Sequence, residues 1–337
     1  MWAIIIHHIL LHGHVMRKYK YKILTLMNIC SFWHVNSFTL ISGVIGYKTN
    51  KYSNLMHLWL CVMVYQVGIH SIFIIKKDKS NINYSFYKSC FPIIYSKYWY
   101  FTKYFGMYLF LPVINRGISY LTQVEHKILL YSLYGICIIW NDSNVNGNSF
   151  GLGKGYSVIS FIISFISGAY IGKYRFNYIE KNKFIAFPIL VIIFIFSTYI
   201  CYILKYHKIN ILNNIFIMRI NSLPMILQSI SIILLAMNIN YNKYIGRVVC
   251  FFGPLTFGIY LIHDNELIRR TFIRNLFSKE SNQLKNYVVV KLVFLRSIYI
   301  FLICSFIDYV RYIIFQYLLR IKKICILIEK KIIKLCT

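Results

Sequence analysis

The chain alternates long apolar runs with short polar, mostly basic connections. A run of about 20 apolar residues is enough to cross the hydrocarbon core of a bilayer as a helix. On that measure the pattern predicts ten spans, at about 1–16, 32–47, 55–75, 98–111, 128–140, 156–174, 184–204, 223–237, 248–262 and 288–314. The first is short and reads as incomplete at its N-terminal end. A basic turn follows it, with Arg17, Lys18, Lys20 and Lys22. The longest connections cover 76–97 and 263–287, and a loop of Asn, Ser, Asp and Gly fills 141–155. Tyr98, Trp99 and Tyr100 open the fourth span as an aromatic cluster of the kind that anchors at headgroup level. Pro112 falls where a helix end tolerates it, and Gly168 with Ala169 offers a surface for close helix packing. The fold class expected is all-α, a polytopic membrane bundle of about ten helices. Residues 1–320 form one transmembrane domain, and 321–337 form a basic tail.

Composition agrees with that reading. The 337 residues are 58% hydrophobic and 14% charged, against about 25% charged in soluble domains. The formal net charge is +29. Its lysines and arginines sit between apolar runs rather than in one tract, so they read as loop charge with a preference for anionic lipid headgroups, and no nucleic-acid partner is expected. The densest basic segment holds Arg320, Lys322, Lys323, Lys330, Lys331 and Lys334. The positive-inside rule places it in the cytoplasm. Ten spans then put the N-terminus there too and the two long connections outside. The nine cysteines show no C-x-x-C pair, and Cys61, Cys137, Cys201, Cys250 and Cys304 lie inside apolar runs, where they read as small buried hydrophobes. Apolar residues follow Met1 at once, so neither a cleavable signal nor a transit peptide is expected.

Ionisable side chains persist in apolar spans mainly where they serve a site or find partners. That directs attention to His7, His8, His12 and His14 in the first span. His8 and His12 are four apart and share a helix face. Such a pair can bind a metal or haem iron, or one imidazole can act as a general base near neutral pH. Metal ligation wants further ligands, and no acidic residue lies near in sequence, so no metal is expected. His263 closes the ninth span beside Asp264, as a helix-end residue or a second catalyst. Asp308 and Arg311 are three apart and most simply form an ion pair near the membrane boundary. Trp99 and Tyr104 read as aromatic belt, and Asn115 as a helix terminus.

The order of these segments is more specific than any one of them. Ile6-His7-His8 with His12-Gly13, Phe38-Thr39-Leu40-Ile41-Ser42-Gly43, the run Tyr98 to Tyr104 continuing to Leu111-Pro112-Val113-Ile114-Asn115, Ser167-Gly168-Ala169-Tyr170-Ile171, Asn221-Ser222-Leu223-Pro224, Phe257 to Asn265, and Ile307-Asp308-Tyr309-Val310-Arg311 together resemble the acyltransferase family 3 membrane proteins. That family includes bacterial polysaccharide O-acetyltransferases and has a ten-span fold. The resemblance implies transfer of an acyl group, usually acetyl from cytoplasmic acetyl-CoA as co-substrate, to a hydroxyl of a surface polysaccharide or lipid-linked sugar. No bound cofactor is implied. His8 best matches the family's catalytic histidine, with His7 beside it and His263 as a second candidate. Trp99, Tyr104, Asn115, Asp264 and Arg311 are the substrate-binding candidates. The family usually carries an Arg or Lys about one span-length ahead of its histidine, which here would fall ahead of Met1. The alternative is therefore an inactive truncated relative, or a membrane protein that transports or binds without catalysis.

Overall fold

The computed structural model describes residues 1–49, 51–75, 86–137, 151–174, 183–207 and 219–336. Parts of the expected connections at 76–97 and 141–155, and the end of the fifth span at 138–140, lie outside the described residues. Among those described, all regular structure is helical. The principal helices in chain order are α1 (Trp2–His12), α2 (Lys22–Ser31), α3 (His34–Gly46), α4 (Tyr52–Ile75), α5 (Trp99–Leu109), α6 (Leu111–Tyr120) and α7 (Gln123–Gly135). They continue with α8 (Val158–Tyr174), α9 (Lys183–His207), α10 (Leu223–Asn238), α11 (Lys243–Phe252), α12 (Thr256–His263), α13 (Asn286–Ile313) and α14 (Ile321–Cys336).

Among the described residues five stretches are long and apolar enough to cross a membrane: Lys22–Gly46, Tyr52–Ile75, Phe184–Lys205, Lys243–His263 and Asn286–Leu318. They correspond to the expected second, third, seventh, ninth and tenth spans, except that the second begins at Lys22, ten residues earlier than expected, because α2 precedes α3 in the same stretch. Three shorter apolar helices, Trp2–His12, Val158–Tyr174 and Leu223–Asn238, match the first, sixth and eighth. The fourth span ends close to where it is expected, with α5 stopping at Leu109. The helix breaks at Phe110 between α5 and α6, where Pro112 enters the first turn of α6 and cannot donate to the preceding turn. The fifth begins earlier than the apolar run, because Thr122 and Glu125 close a capping box that starts α7 at Gln123.

Helix α9 shows why these elements belong in lipid. Its outward face carries exposed Phe184, Ile185, Ile189, Ile192, Ile195 and Phe196, while Ser197, Thr198 and Cys201 are buried. Polar inside and apolar outside is the reverse of a soluble helix. Cys61, Cys137, Cys201 and Cys304 are buried as expected, but Cys250 is exposed on the outward side of α11.

The described residues form two compact units. The first comprises Met1–Leu24, Lys51–Thr102 and Tyr241–Thr337, and the second Thr25–Asn50 and Lys103–Asn240. In the second unit α3 and α8 touch backbone to backbone. Gly168 and Gly172 form a G-x-x-x-G pair, and a Cβ on either would run into the carbonyls of Leu40 and Val44. In lipid, where apolar surface gains little by leaving the solvent, such close approach supplies the packing attraction. Interhelical hydrogen bonds add direction: Gln228 Nε2 donates to Thr198 Oγ1 at 2.7 Å and Ser229 Oγ to the Trp33 carbonyl at 2.9 Å.

In the first unit α13 is the spine. Its buried residues Val289, Val293, Ser297, Ile300, Cys304, Asp308 and Arg311 recur at intervals of three and four along one face, with Ser305 buried beside them. Trp2 of α1 donates its indole N–H to Ser297 Oγ at 2.7 Å and packs with its ring tilted against that of Phe294, centroids 5.6 Å apart. The basic turn after α1 is fastened as well. Lys18 Nζ donates to the carbonyls of Phe277 and Glu280, both at 2.6 Å, and Tyr19 OH to that of Ser281 at 2.8 Å. The turn at 17–22 and the connection at 277–284 therefore share one end of this unit. Residues 321–336 of the basic tail are helical, as α14, which packs on α4 with Glu329 Oε1 accepting from the Tyr52 backbone N–H at 2.6 Å.

Candidate functional site

Three segments of the first unit converge on His8. Helix α1 supplies His7, His8 and His12, and ends at Gly13, whose N–H bonds to the Ile9 carbonyl. A Cβ at Gly13 would sit 3.3 Å from the Ile273 carbonyl, tight enough that glycine lets α1 lie against the segment after α12. Helix α12 ends on His263 and hands over directly to Asp264 and Asn265. Residues 66 and 98 come from α4 and the start of the 98–102 stretch.

His8 Nδ1 lies 3.5 Å from Asp264 Oδ1, with the side chains 12% and 3% exposed. The carboxylate is thus nearly dry, while the imidazole keeps an outlet. The separation is that of an electrostatic contact, and since a carboxylate can only accept, it favours the His8 tautomer that carries its proton on Nδ1 and leaves Nε2 with the lone pair. The ring of His263 is 5.1 Å from that of His8, and His7 and His12 are 5.9 and 5.2 Å away. His263 is itself oriented, because its Nδ1 lies 2.6 Å from the Ile259 carbonyl. A carbonyl too can only accept, which again leaves the lone pair on Nε2. That atom is buried and has no hydrogen-bond partner among the described residues.

The same Asp264 Oδ1 accepts from Arg269 Nη1 at 3.1 Å. Burial pushes its carboxyl up to about 6, against the pull of the Arg269 guanidinium. Asn265 locks the handover between elements. Its Nδ2 donates to Gln66 Oε1 at 3.0 Å and to Tyr98 OH at 2.9 Å, and its Oδ1 accepts from the Leu267 N–H at 3.0 Å. Tyr98 OH donates in turn to the Leu261 carbonyl at 2.8 Å. Every polar atom of the Asn265 side chain therefore fixes Asp264 by fixing its neighbour. Beyond it, Glu266 pairs with Arg270 at 2.5 Å and Lys97 at 3.7 Å.

His7, His8, His263 and Asp264 are thus brought together. Of the other sequence candidates, Trp99 and Arg311 lie in the first unit with partners of their own, and Tyr104 and Asn115 belong to the second unit. Trp99 packs edge-on against Tyr100 at 5.6 Å in the first unit. Tyr104 belongs to the second unit, where its hydroxyl is 3.3 Å from Ser42 Oγ. Asn115 lies inside α6 rather than at a terminus, and its Nδ2 donates to the carbonyls of Gly46 and Thr49, both at 3.2 Å, closing the end of α3. Arg311 makes the ion pair expected from its spacing, Nε to Asp308 Oδ1 at 2.7 Å and Nη2 to Oδ2 at 2.8 Å. Tyr65 OH donates to the same carboxylate at 2.5 Å. Gly258 leaves the room for it, since a Cβ there would overlap the Asp308 carboxylate.

Sequence reasoning missed Gln66, Arg269 and the role of Tyr98. Tyr98 read as belt, yet it is 1% exposed, and its hydroxyl serves Asn265. The premise that no acidic residue approaches the histidines also changes. It holds along the sequence, but the fold brings Asp264 to His8 and His12.

Compared with known families, the chain matches a model of an acyltransferase domain over residues 1–314 of its 337, a range that contains every residue of this site. No curated protein and no solved structure matches it.

Proposed function

The chain belongs to acyltransferase family 3 and is a membrane acyltransferase; from that premise we propose that it carries an acyl group, acetyl in the simplest case, from acyl-CoA to a hydroxyl of a surface or lipid-linked glycan. The observation that carries the assignment of roles is the His8–Asp264 pair. In this reading His8 Nε2 takes the proton from the acceptor hydroxyl as its oxygen attacks the thioester carbonyl. The tetrahedral oxyanion collapses, the C–S bond breaks, and the leaving thiolate takes the proton back from the imidazolium. Asp264 holds the ring in the productive tautomer and offsets the imidazolium charge, while Arg269 and Asn265 hold Asp264. His263 Nε2 stands next to His8 as a second proton acceptor for the same hydroxyl.

A phosphate-bearing donor suits the charge at this end of the unit. Arg269, Arg270 and Lys97 outnumber Asp264 and Glu266 there by one, which favours anions. The basic helix α14 supports a cytoplasmic C-terminus beside anionic lipid headgroups. The test is chemical analysis of the cell-surface glycan with and without this protein. Ester-linked acyl groups that appear only when the protein is present support the reading, and an unchanged glycan overturns it.

The pair also sets a pH dependence. With the Asp264 carboxyl raised to about 6, the carboxylate that orients His8 is present above that pH and is lost as the pH falls through it. Acyl transfer measured in detergent is expected to drop across that window. Asp264→Asn is expected to lower the rate at neutral pH by about 10²–10⁴ and to move the acid limb. An acid limb that stays in place in Asp264→Asn removes Asp264 from the titrating pair.

A further inference from the structure

We propose that His8, His12 and Asp264 also form a binding site for a late first-row divalent cation of the Zn²⁺ class, and that the bound ion shuts the enzyme off, because a neutral imidazole that ligates through one nitrogen carries its proton on the other and has no lone pair left to act as base. The inhibitory half of this rests on the role given to His8 above; the binding half does not. One ligand atom from each of the three residues lies within 4.8 Å of the other two. The two imidazoles stand four apart on α1, the spacing that lets one helix face present two nitrogens to one ion. The carboxylate comes from a different element and is fixed by the Asn265 network.

His263 stands beside this group, outside the three residues whose ligand atoms converge. It is 1% exposed, its ring is 5.1 Å from that of His8, and its Nε2 has no partner among the described residues. Its other nitrogen is bound to a backbone carbonyl, as a metal-ligating histidine's usually is. Imidazoles with a carboxylate suit zinc, copper or nickel, not the oxygen-seeking magnesium or calcium. Arg269 opposes the ion, because its guanidinium already lies 3.1 Å from Asp264 Oδ1. The site is therefore a reversible one, and Arg269 is the residue that keeps it weak.

The experiment titrates Co²⁺, and then Zn²⁺ in competition, into the purified full-length protein in detergent, following the visible absorption of bound cobalt. One equivalent is expected to bind wild type and to be displaced by Zn²⁺. His12→Ala is expected to weaken binding at least about tenfold while retaining acyl transfer in chelator. Arg269→Gln is expected to bind more tightly than wild type, a gain that a poorly folded variant does not produce. No cobalt band in wild type, or equal affinity in wild type, His12→Ala and Arg269→Gln, overturns the site. Cobalt binding with undiminished acyl transfer overturns the inhibition. If His8→Ala transfers acyl groups normally while cobalt still binds wild type, the catalytic role of His8 has failed and the metal site has not.

Discussion

Replacing His8 by Ala is expected to lower acyl transfer by about 10²–10⁴, the usual contribution of a positioned general base, while the protein still reaches the membrane. The expectation comes from where His8 stands. Its own helix is anchored at Trp2 through Ser297 and at Lys18 through the 277–280 segment, so truncating one side chain between the two anchors leaves α1 in place. What is lost is the lone pair that the Asp264 carboxylate aims outward. His263→Ala is expected to cost less, because His263 bonds to its own helix and meets His8 only ring to ring. Release of labelled CoA product, at matched amounts of membrane-inserted protein, measures both. A His8→Ala rate equal to wild type removes His8 from the chemistry.

The second large effect is on stability. Asp308 is completely buried, and Arg311 meets it with two donors while Tyr65 supplies a third. Removing one member of a buried pair leaves the other charge without compensation, at a cost of about 3–5 kcal/mol. Arg311→Met is therefore expected to lower the thermal unfolding temperature of the detergent-solubilised protein sharply. Asp308→Asn combined with Arg311→Met is expected to recover part of the loss, because no orphan charge remains. Equal unfolding temperatures for wild type and Arg311→Met would show that water reaches the pair.

Much of this was legible in the sequence where the signal is local. Asp308 and Arg311 lie three apart, and they pair. Gly168 and Ala169 announce close packing, and α8 does touch α3 through its glycines. The histidines of α1 stand out because imidazole is costly in an apolar run. Their partner was legible only in part. Asp264 was visible beside His263, yet nothing in either segment states that it faces His8, because that contact depends on how distant helices pack. The same holds for Gln66 and Tyr98, whose polar groups meet Asn265 only after folding. Tyr98 in particular sits in an aromatic run that reads as a headgroup anchor, and a phenol reads alike whether its hydroxyl meets water or a buried amide. The end of α5 at Leu109 was legible, because Pro112 marks a helix boundary in the sequence and falls in the first turn of α6. The capping box at Thr122 and Glu125 was present in the sequence as T-x-x-E and would have moved the start of α7 to its observed place.

The most direct measurement of the His8–Asp264 pair as the catalytic unit is a double-mutant cycle on acyl transfer, with His8→Ala, Asp264→Asn and the two combined. If the carboxylate acts through the imidazole, the double variant is no slower than His8→Ala alone. If the two losses instead multiply, Asp264 acts independently of His8, and the pairing read from their 3.5 Å approach is not the working unit of this enzyme.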